Sequence, residues 1–345
     1  MSKTAIGVLV NDIHLNKDNG ELVKDIFRQV VRVCRKNKTG RIFCGGDVFT
    51  NRSGQPLNVL TDWKEVLDYL NKENVELYAI PGNHDKTDRD SESSYLDVYS
   101  QPRFHLIRRF DVIRFGRCSV AFIPYFGDEK WLETYRLVEK AINFTIPSVL
   151  ITHMGFDGVR NNDGSEVNSP IKPSMFKRFT AVLIGHYHNA SRSSKNVFYT
   201  GSAYQNNYGE TVVDKGCSVI YEDGTFEHVP LQFPKYIKEV VNVDDAESLR
   251  NLIEKYEDDD VNHVRFVFQG RKVDANKVDL SLLTSKGIDA KFEAVETEEA
   301  IRSSESEAVM CYDKKAIMKD FVKFCSENQI KGKQLKYGMD LIKTL

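Results

Sequence analysis

The chain has 345 residues, of which 41% are hydrophobic and 28% are charged, and its formal net charge at pH 7 is −2. This composition is ordinary for a globular protein with a sizeable core, and the length fits one large domain or two. Because no run of about 18 apolar residues occurs, the sequence excludes a transmembrane helix, and the near-neutral charge gives no sign of the basic surface that nucleic-acid-binding proteins usually carry.

The first residues and the cysteines indicate a cytoplasmic protein. The chain begins without a basic stretch or a long apolar run, so we expect no signal peptide. Six scattered cysteines form no C-x-x-C pair; they are Cys34, Cys44, Cys118, Cys217, Cys311 and Cys325. This pattern is typical of reduced thiols rather than of a disulfide framework or a cysteine zinc site.

Residues 1–235 alternate short apolar runs with amphipathic stretches, which is typical of an α/β fold. The early predicted strands are residues 6–10, 42–44, 75–80, 149–151 and 182–184. Helical spacing of apolar residues predicts helices around residues 22–33 and 59–70. Later strand-like runs have short connections that favour antiparallel pairing; they are residues 111–115, 118–123, 196–200, 217–221 and 225–229. We therefore expect two sheets packed face to face with helices outside.

The sequence predicts four parts along the chain. Residues 1–235 hold the alternating elements just described, and residues 236–293 read as a small α+β unit. Residues 294–309 form an acidic, serine-containing stretch that is typical of a linker. Residues 310–345 predict two short amphipathic helices, and since these helices have no core of their own, we expect them to dock on another surface.

Five polar clusters each follow the C-terminal end of an apolar run. They are Asn-Asp-Ile-His at 11–14, Gly-Gly-Asp at 45–47, Gly-Asn-His-Asp at 82–85, Thr-His at 152–153 and Gly-His-Tyr-His at 185–188. Because the C-terminal ends of strands in α/β sheets face the functional crevice, we expect these segments to converge on one site. Their ligand atoms are oxygen and nitrogen only, which suits a pair of divalent ions and two-metal hydrolysis of phosphoesters.

In this order, the motifs D-x-H, G-D, G-N-H-D, H and G-H-x-H resemble the calcineurin-like metallophosphoesterase superfamily over residues 5–220. One such motif is weak evidence, whereas five blocks in order are specific. The resemblance implies one metal ion held by Asp12, His14, Asp47 and His188. It implies a second ion held by Asp47, Asn83, His153 and His186, so that Asp47 bridges the two. His84 would be the unliganded catalytic histidine, and Asp85 would orient it.

Segment 199–216 is similar to the one that follows G-H-x-H in SbcD-type nucleases, the nuclease subunits of SbcCD-like double-strand-break repair complexes. The order of parts is also similar: a phosphodiesterase domain, a small capping domain that binds DNA, a linker and partner-binding helices. The chain is compact for that family and closer to bacteriophage recombination-endonuclease subunits, which would place it in the host cytoplasm. One position departs from the pattern, because Thr50 stands where cellular members often carry a histidine.

The resemblance implies a metal-dependent DNA nuclease, acting as a 3′-to-5′ exonuclease and a structure-dependent endonuclease on double-stranded ends or branched structures. Manganese is the favoured ion, with magnesium, iron and zinc as alternatives. A homodimer is implied, and so is a coiled-coil ATPase of the SbcC type that binds the helices of residues 310–345. Because the chain has no Walker A loop, ATP hydrolysis has to come from that partner. No membrane partner is expected.

Two other functions remain open from the residues alone. A protein phosphatase or a small-molecule phosphodiesterase would have nearly the same metal site, although segment 201–216 and the extension 236–345 argue against it. A non-catalytic scaffold of a DNA-repair complex would have lost ligands, whereas every expected ligand position is filled here. Outside the clusters, we expect the remaining three histidines to be structural or surface residues; they are His105, His228 and His263.

Overall fold

The computed structural model describes residues 3–159, 165–213, 215–242, 244–270 and 288–294, together with Leu283, Phe321, Cys325, Leu335 and Met339. The chain forms two compact units, one of Met1–Lys238 with Asp259–Val264 and the other of Glu239–Asp258 with Arg265–Leu345. The predicted linker 294–309 and the predicted helices of residues 310–345 lie, apart from single residues, outside the described part. No helix within the described ranges is long and apolar enough to cross a membrane.

The described elements alternate between strands and helices in the first half of the chain. In chain order they are β1 (Ala5–Val10), α1 (Gly20–Lys36), β2 (Arg41–Cys44), α2 (Leu57–Lys72), β3 (Glu76–Ala79), β4 (Phe104–Leu106), β5 (Asp111–Phe115), β6 (Cys118–Ile123), α3 (Asp128–Ala141), β7 (Ser148–His153), β8 (Ala181–Gly185), β9 (Ser191–Arg192), β10 (Val197–Tyr199), β11 (Gly216–Tyr221), β12 (Phe226–Pro230), β13 (Tyr236–Asn242), α4 (Ala246–Tyr256), β14 (His263–Gly270) and β15 (Asp289–Ala294). Short 3₁₀ helices lie at Tyr95–Val98 and Pro173–Phe176.

The larger unit contains two six-stranded sheets, with the strand orders β12-β11-β1-β2-β3-β4 and β5-β6-β7-β8-β10-β9. In the first sheet β1 to β4 run parallel, with Val8 opposite Ile42. In the second sheet β6, β7 and β8 run parallel, with His153 opposite Gly185. Parallel neighbours end at the same edge of a sheet, so the polar segments that follow these strands are brought close together.

Helices cover the outer faces of both sheets because their apolar residues recur on one side. In α1 and α2 the buried side chains include Phe27 and Trp63, whose rings meet edge to face with centroids 5.3 Å apart. In α3 Trp131 and Tyr135 stack at 5.3 Å and pack on the second sheet. Burying such aromatic side chains is a large part of the stabilisation of a core.

A third apolar cluster fills the space between the two sheets. Phe43 of β2 packs on Phe122 of β6, with ring centroids 5.5 Å apart, and Ile151 of β7 and Ile220 of β11 lie in the same cluster. All four side chains are fully buried. The predicted α/β architecture, two sheets packed face to face with helices outside, is therefore confirmed.

One strand pairing differs from the prediction. β5 with β6 and β11 with β12 are antiparallel as predicted, but β10, predicted at residues 196–200, pairs parallel with β8 and places Val197 opposite Val182. The reason lies in the connection between them: it turns back through β9, which pairs antiparallel with β10. The chain therefore returns to the sheet in the direction of β8 although no helix separates the two strands.

The smaller unit is built around β14 and β15, which run parallel with Phe266 opposite Ala290. The sheet has the order β13-β14-β15. Helix α4 begins after Asp245, whose side chain accepts a hydrogen bond from the backbone amide of Ser248 at 3.0 Å. Tyr256 at the end of α4 contacts Phe266, with ring centroids 6.2 Å apart. These elements form a small α+β unit.

Candidate metal centre

The structure brings all five polar clusters together at one edge of the larger unit. Residues 11–14, 45–47, 82–85 and 186–188 follow β1, β2, β3 and β8, and His153 ends β7. Asp12, His14, Asp47 and His186 have φ angles of 52°, 48°, 55° and 93°. Residues other than glycine adopt positive φ rarely, and such strain concentrates at functional sites. The backbone is thus bent where the candidate ligands lie.

Three side chains form the first ligand group, which we define as Asp12, His14 and His188. Their candidate ligand atoms lie within 4.8 Å of one another, and the Nε2 atoms of His14 and His188 are 2.9 Å apart. The Asp12 carboxylate is fully buried and accepts hydrogen bonds from the backbone amide of His186 at 3.0 and 3.2 Å. One carboxylate and two imidazoles therefore face a common point.

The second ligand group consists of Asp47, Asn83, His153 and His186. The ligand atoms of Asp47, His153 and His186 lie within 4.8 Å of one another, and His153 Nε2 is 3.2 Å from Asp47 Oδ2. Asn83 Oδ1 lies 3.0 Å from His153 Nε2 and 2.8 Å from His186 Nδ1. The amide oxygen of Asn83 therefore points at the same position as the other three side chains.

Asp47 lies between the two groups. Its Oδ2 is 3.7 Å from His14 Nε2 in addition to the contact with His153, and its Oδ1 accepts a hydrogen bond from the backbone amide of His84 at 2.8 Å. Gly82 makes this position possible, because a Cβ there would lie 2.2 Å from Asp47 Oδ1. The geometry is that of a carboxylate able to bridge two ions.

The ionisation of the centre suits a cation. Burial lowers the pKa of His14 and of His186 to about 3, so both rings are neutral and keep a lone pair for a ligand bond. Burial would also lower the pKa of His153, but the charge of Asp47 outweighs it and raises that pKa to about 9. A buried imidazole that retains its proton indicates a negative electrostatic potential at the centre. Such a potential favours the binding of cations.

Hydrogen bonds outside the centre orient two of the ligand rings. His153 Nδ1 donates to the carbonyl oxygen of Gly45 at 2.9 Å, and His188 Nδ1 lies 2.7 Å from Glu210 Oε1. Since a carbonyl oxygen and a carboxylate can only accept, Nδ1 carries the proton in both rings and Nε2 faces the centre. Buried oxygen and nitrogen donors with fixed ring orientations fit two divalent ions.

His84 stands beside the ligand groups at the wall of a cavity of about 620 Å³. Its Nδ1 contacts the carbonyl oxygen of Thr50, and its Nε2 lies 3.3 Å from Arg52 Nη2. Because the Thr50 oxygen can only accept, the neutral ring carries its proton on Nδ1 and turns Nε2 towards the cavity. This orientation is the one that a proton-transferring histidine needs.

The predicted role of Asp85 requires a correction. The Asp85 carboxylate is fully buried and accepts hydrogen bonds from the backbone amides of Gly82 at 2.8 Å and Phe49 at 3.0 Å. The His84 ring is oriented by Thr50 instead. Asp85 therefore ties the loop that carries His84 to the loop after β2, and it acts on the ring only through the backbone.

A family model described as calcineurin-like phosphoesterase matches residues 8–190, more than half of the chain. The chain belongs to this family. Calcineurin-like phosphoesterases use a dinuclear metal centre, and the two ligand groups are the candidate residues for it in this phosphoesterase. The matched range includes every residue of both groups, so the conclusion about family and the geometry of the centre concern the same part of the molecule.

The proteins to which this phosphoesterase is similar are described as phosphoesterases, nucleases or phosphatases. The phosphoesterase designated 078R of Invertebrate iridescent virus 3 is 21% identical over 271 residues, which cover 76% of each chain. The SbcD subunit of the nuclease SbcCD of Staphylococcus saprophyticus is 23% identical over 182 residues, which cover 46% of this chain and 48% of that one. A crystal structure of a dimetal phosphatase from Danio rerio has 10% identity and a TM-score of 0.42, covering 64% of this chain and 94% of that one.

Three residues beside the centre were not identified from the sequence: Glu210, Lys215 and Arg52. Lys215 is buried, and its Nζ donates to Glu210 Oε2 at 2.7 Å and to the carbonyl oxygen of His188 at 2.6 Å. Burial opposes ionisation of Glu210, but His188 and Lys215 lower its pKa to about 2. The only signal for Glu210 and Lys215 was their place in segment 199–216, whose resemblance to SbcD-type nucleases assigned no role to them.

Glu210→Gln is expected to weaken metal binding at the first ligand group of this phosphoesterase. The substitution removes the negative charge that pairs with Lys215, and it replaces the carboxylate that orients His188 with a neutral amide, whose oxygen is a weaker acceptor. Loss of such an outer contact costs about 10- to 100-fold in metal affinity, so we expect a loss of this size for one ion only. Calorimetric titration of the metal-free protein with Mn²⁺ measures both affinities.

Glu222→Gln is the matched control, because its carboxylate pairs with the exposed side chain of Arg117 at 2.8 Å and contacts no candidate ligand. We expect wild-type metal affinities for this variant. Two wild-type affinities in Glu210→Gln itself would contradict the orienting role of Glu210.

Proposed function

We propose that this phosphoesterase hydrolyses the phosphodiester bonds of DNA as the nuclease subunit of an SbcCD-like repair or recombination complex. The observation that carries the proposal is the position of segment 199–216, which resembles SbcD-type nucleases. Its residues contact the metal centre, since Glu210 orients His188 and the side chains of Asn206 and Asn207 line the cavity. The staphylococcal relative named as the SbcD subunit of a nuclease supports the same interpretation.

In the proposed reaction, two divalent ions would supply a water nucleophile at neutral pH and neutralise charge on the phosphate. One would be held by Asp12, His14, Asp47 and His188, and the other by Asp47, Asn83, His153 and His186. The geometry that supports this division is the shared position of Asp47, whose Oδ2 lies near a histidine of each group. Asp47 thus keeps a negative charge between the two positions.

In this proposal His84 moves the proton. Its backbone amide is fixed on Asp47 Oδ1 at 2.8 Å, and its Nδ1 is fixed on the Thr50 carbonyl oxygen, so the ring has one defined orientation. With both ring nitrogens protonated, the imidazolium would donate its Nε2 proton to the oxygen of the departing nucleotide and become neutral, while Nδ1 would keep its proton on the Thr50 carbonyl oxygen. The anchor on Asp47 ties the position of this proton donor to the candidate ligands.

The finer parts of the proposal follow from the resemblance to SbcD-type nucleases. We propose manganese as the working ion, and both 3′-to-5′ exonuclease and structure-dependent endonuclease activity. We also propose a homodimer, a contribution of residues 236–293 to DNA binding, and a coiled-coil ATPase that binds residues 310–345. The site of action would be the cytoplasm, and viral relatives are among those that this chain matches.

The purified full-length protein with Mn²⁺ tests the nuclease proposal on two substrates. End-labelled double-stranded DNA reports nuclease activity, and bis-p-nitrophenyl phosphate reports hydrolysis of a generic phosphodiester. We expect Mn²⁺-dependent degradation of the DNA, shortening of strands from the 3′ end, and loss of both reactions in EDTA. Hydrolysis of the small ester without DNA cleavage, with the coiled-coil ATPase present as well as absent, would instead favour a phosphatase or a small-molecule phosphodiesterase.

A further inference from the structure

We propose that Arg52 binds a non-bridging oxygen of the substrate phosphate beside His84, an inference that rests on the proposed hydrolysis of a phosphodiester at this centre. Arg52 lies between β2 and α2, five residues after Asp47, and lines the same cavity as Asp47, Asn83 and His84. Its Nη2 lies 3.3 Å from His84 Nε2, the atom that faces the reacting group. The guanidinium therefore borders the part of the cavity in which the phosphate would lie.

The charge of Arg52 has no counterpart among the residues that the structure describes. Among the described residues that line the cavity, Arg52 is the only lysine or arginine, and no carboxylate in the described part of the chain forms an ion pair with it. The Asp47 carboxylate in the same cavity is occupied by the amide of His84 and by His153. An unpaired guanidinium offers a planar set of donors that matches the oxygens of a phosphate.

The backbone around Arg52 is anchored while its side chain is exposed. Tyr95 donates its hydroxyl to the carbonyl oxygen of Arg52 at 2.8 Å, and Asn51 Oδ1 accepts from the backbone amide of Ser53 at 3.0 Å. Two residues before Arg52, the carbonyl oxygen of Thr50 holds His84. One short loop thus positions both the ring of His84 and the backbone that carries the guanidinium.

A purely structural role for Arg52 predicts different behaviour. If the contact with His84 Nε2 only held the ring, its loss would leave phosphate binding unchanged and would alter the rate of hydrolysis alone. If Arg52 binds the phosphate, its loss weakens the binding of a phosphodiester that is not being cleaved. Because the side chain is exposed, neither role predicts a large change in thermal stability.

The experiment compares Arg52→Ala and Arg52→Lys with wild type in the Mn²⁺-loaded full-length protein. The control is Arg32→Ala, which removes an exposed arginine of α1 that does not line the cavity. Calorimetry measures the affinity for dimethyl phosphate, and kinetics measure kcat and KM for bis-p-nitrophenyl phosphate and for DNA. Metal content and Tm report whether the centre and the fold are intact.

We expect Arg52→Ala to lower both the affinity for dimethyl phosphate and kcat/KM by about 10- to 100-fold, the usual range for a lost contact to a charged group. Arg52→Lys should recover part of the loss, because the charge returns without the planar donor set. Metal content, Tm and the Arg32→Ala variant should match wild type. Wild-type affinity for dimethyl phosphate in Arg52→Ala would overturn the inference, even if kcat fell.

The two substrates separate this inference from the proposed nuclease function. If Arg52→Ala binds dimethyl phosphate weakly while the wild-type protein hydrolyses only the small ester, the role of Arg52 in phosphate binding is supported and DNA is excluded as the substrate. If the wild-type protein cleaves DNA and Arg52→Ala binds dimethyl phosphate like wild type, the nuclease function stands and the role of Arg52 is wrong.

Discussion

Asp47→Ala is expected to abolish the binding of both metal ions and, with it, hydrolysis. Asp47 Oδ2 lies 3.2 Å from His153 Nε2 and 3.7 Å from His14 Nε2, so the substitution removes a candidate ligand from both groups at once. Loss of an outer contact to a ligand costs about 10- to 100-fold in metal affinity, and we expect the loss of Asp47 itself to exceed that. Elemental analysis of the protein after gel filtration measures the metal content.

Asp47→Asn distinguishes the loss of charge from a disturbed loop. Asp47 Oδ1 also anchors the backbone amide of His84, and alanine would remove that acceptor. Asparagine keeps an acceptor of the same size but has no negative charge to share between two cations. We expect Asp47→Asn to fold and to bind neither ion tightly, whereas Asp223→Asn, at a carboxylate paired with Lys3, should keep both. Wild-type metal content in Asp47→Asn would exclude Asp47 as the bridging ligand.

The positions of the candidate ligands were predictable because each has a local signal in the sequence. Asp12 and Asp47 follow short apolar runs, and the runs are strands whose parallel neighbours end at one edge of a sheet. Because ligands bind at the carboxyl ends of the strands in α/β folds, five separate motifs after such strands predict a single site even when their contacts are unknown. The positive φ angles of Asp12 and Asp47 have no such signal, since positive φ is expected of glycine rather than of aspartate.

The supporting contacts were not predictable because they join distant parts of the chain. Glu210 lies 22 residues from His188, and Arg52 lies 32 residues from His84. A lysine or a glutamate in a polar loop reads as a solvated residue, and only the fold shows that Lys215 is buried. The same limit applies to Asp85. The family resemblance implied that this residue orients His84, whereas in the folded protein its carboxylate accepts hydrogen bonds from two backbone amides.

His84→Ala is expected to keep both metal ions and to lose most of the hydrolysis. The ring of His84 is held by Thr50 and faces the cavity with Nε2, and in our proposal the substitution removes a proton donor rather than a ligand. General acid–base catalysis contributes about 10²- to 10⁴-fold, and we expect kcat for DNA, whose alkoxide leaving group needs a proton, to fall by that factor. His228→Ala, at an exposed histidine outside the candidate centre, is the matched control and should retain wild-type kcat.

The metal content of His84→Ala decides between two roles that the geometry alone allows. The candidate ligand atoms of His84, His14 and Asp47 also lie within 4.8 Å of one another. The geometry is therefore compatible with His84 as a metal ligand as well as with His84 as a general acid. If His84 is a metal ligand, the His84→Ala variant loses a metal ion, and added imidazole restores the metal content before it restores activity. An acid would leave two ions in place, and imidazole would raise kcat without changing the metal content. Loss of an ion from His84→Ala equal to that from Asp47→Ala would therefore refute the assignment of His84 as the proton donor.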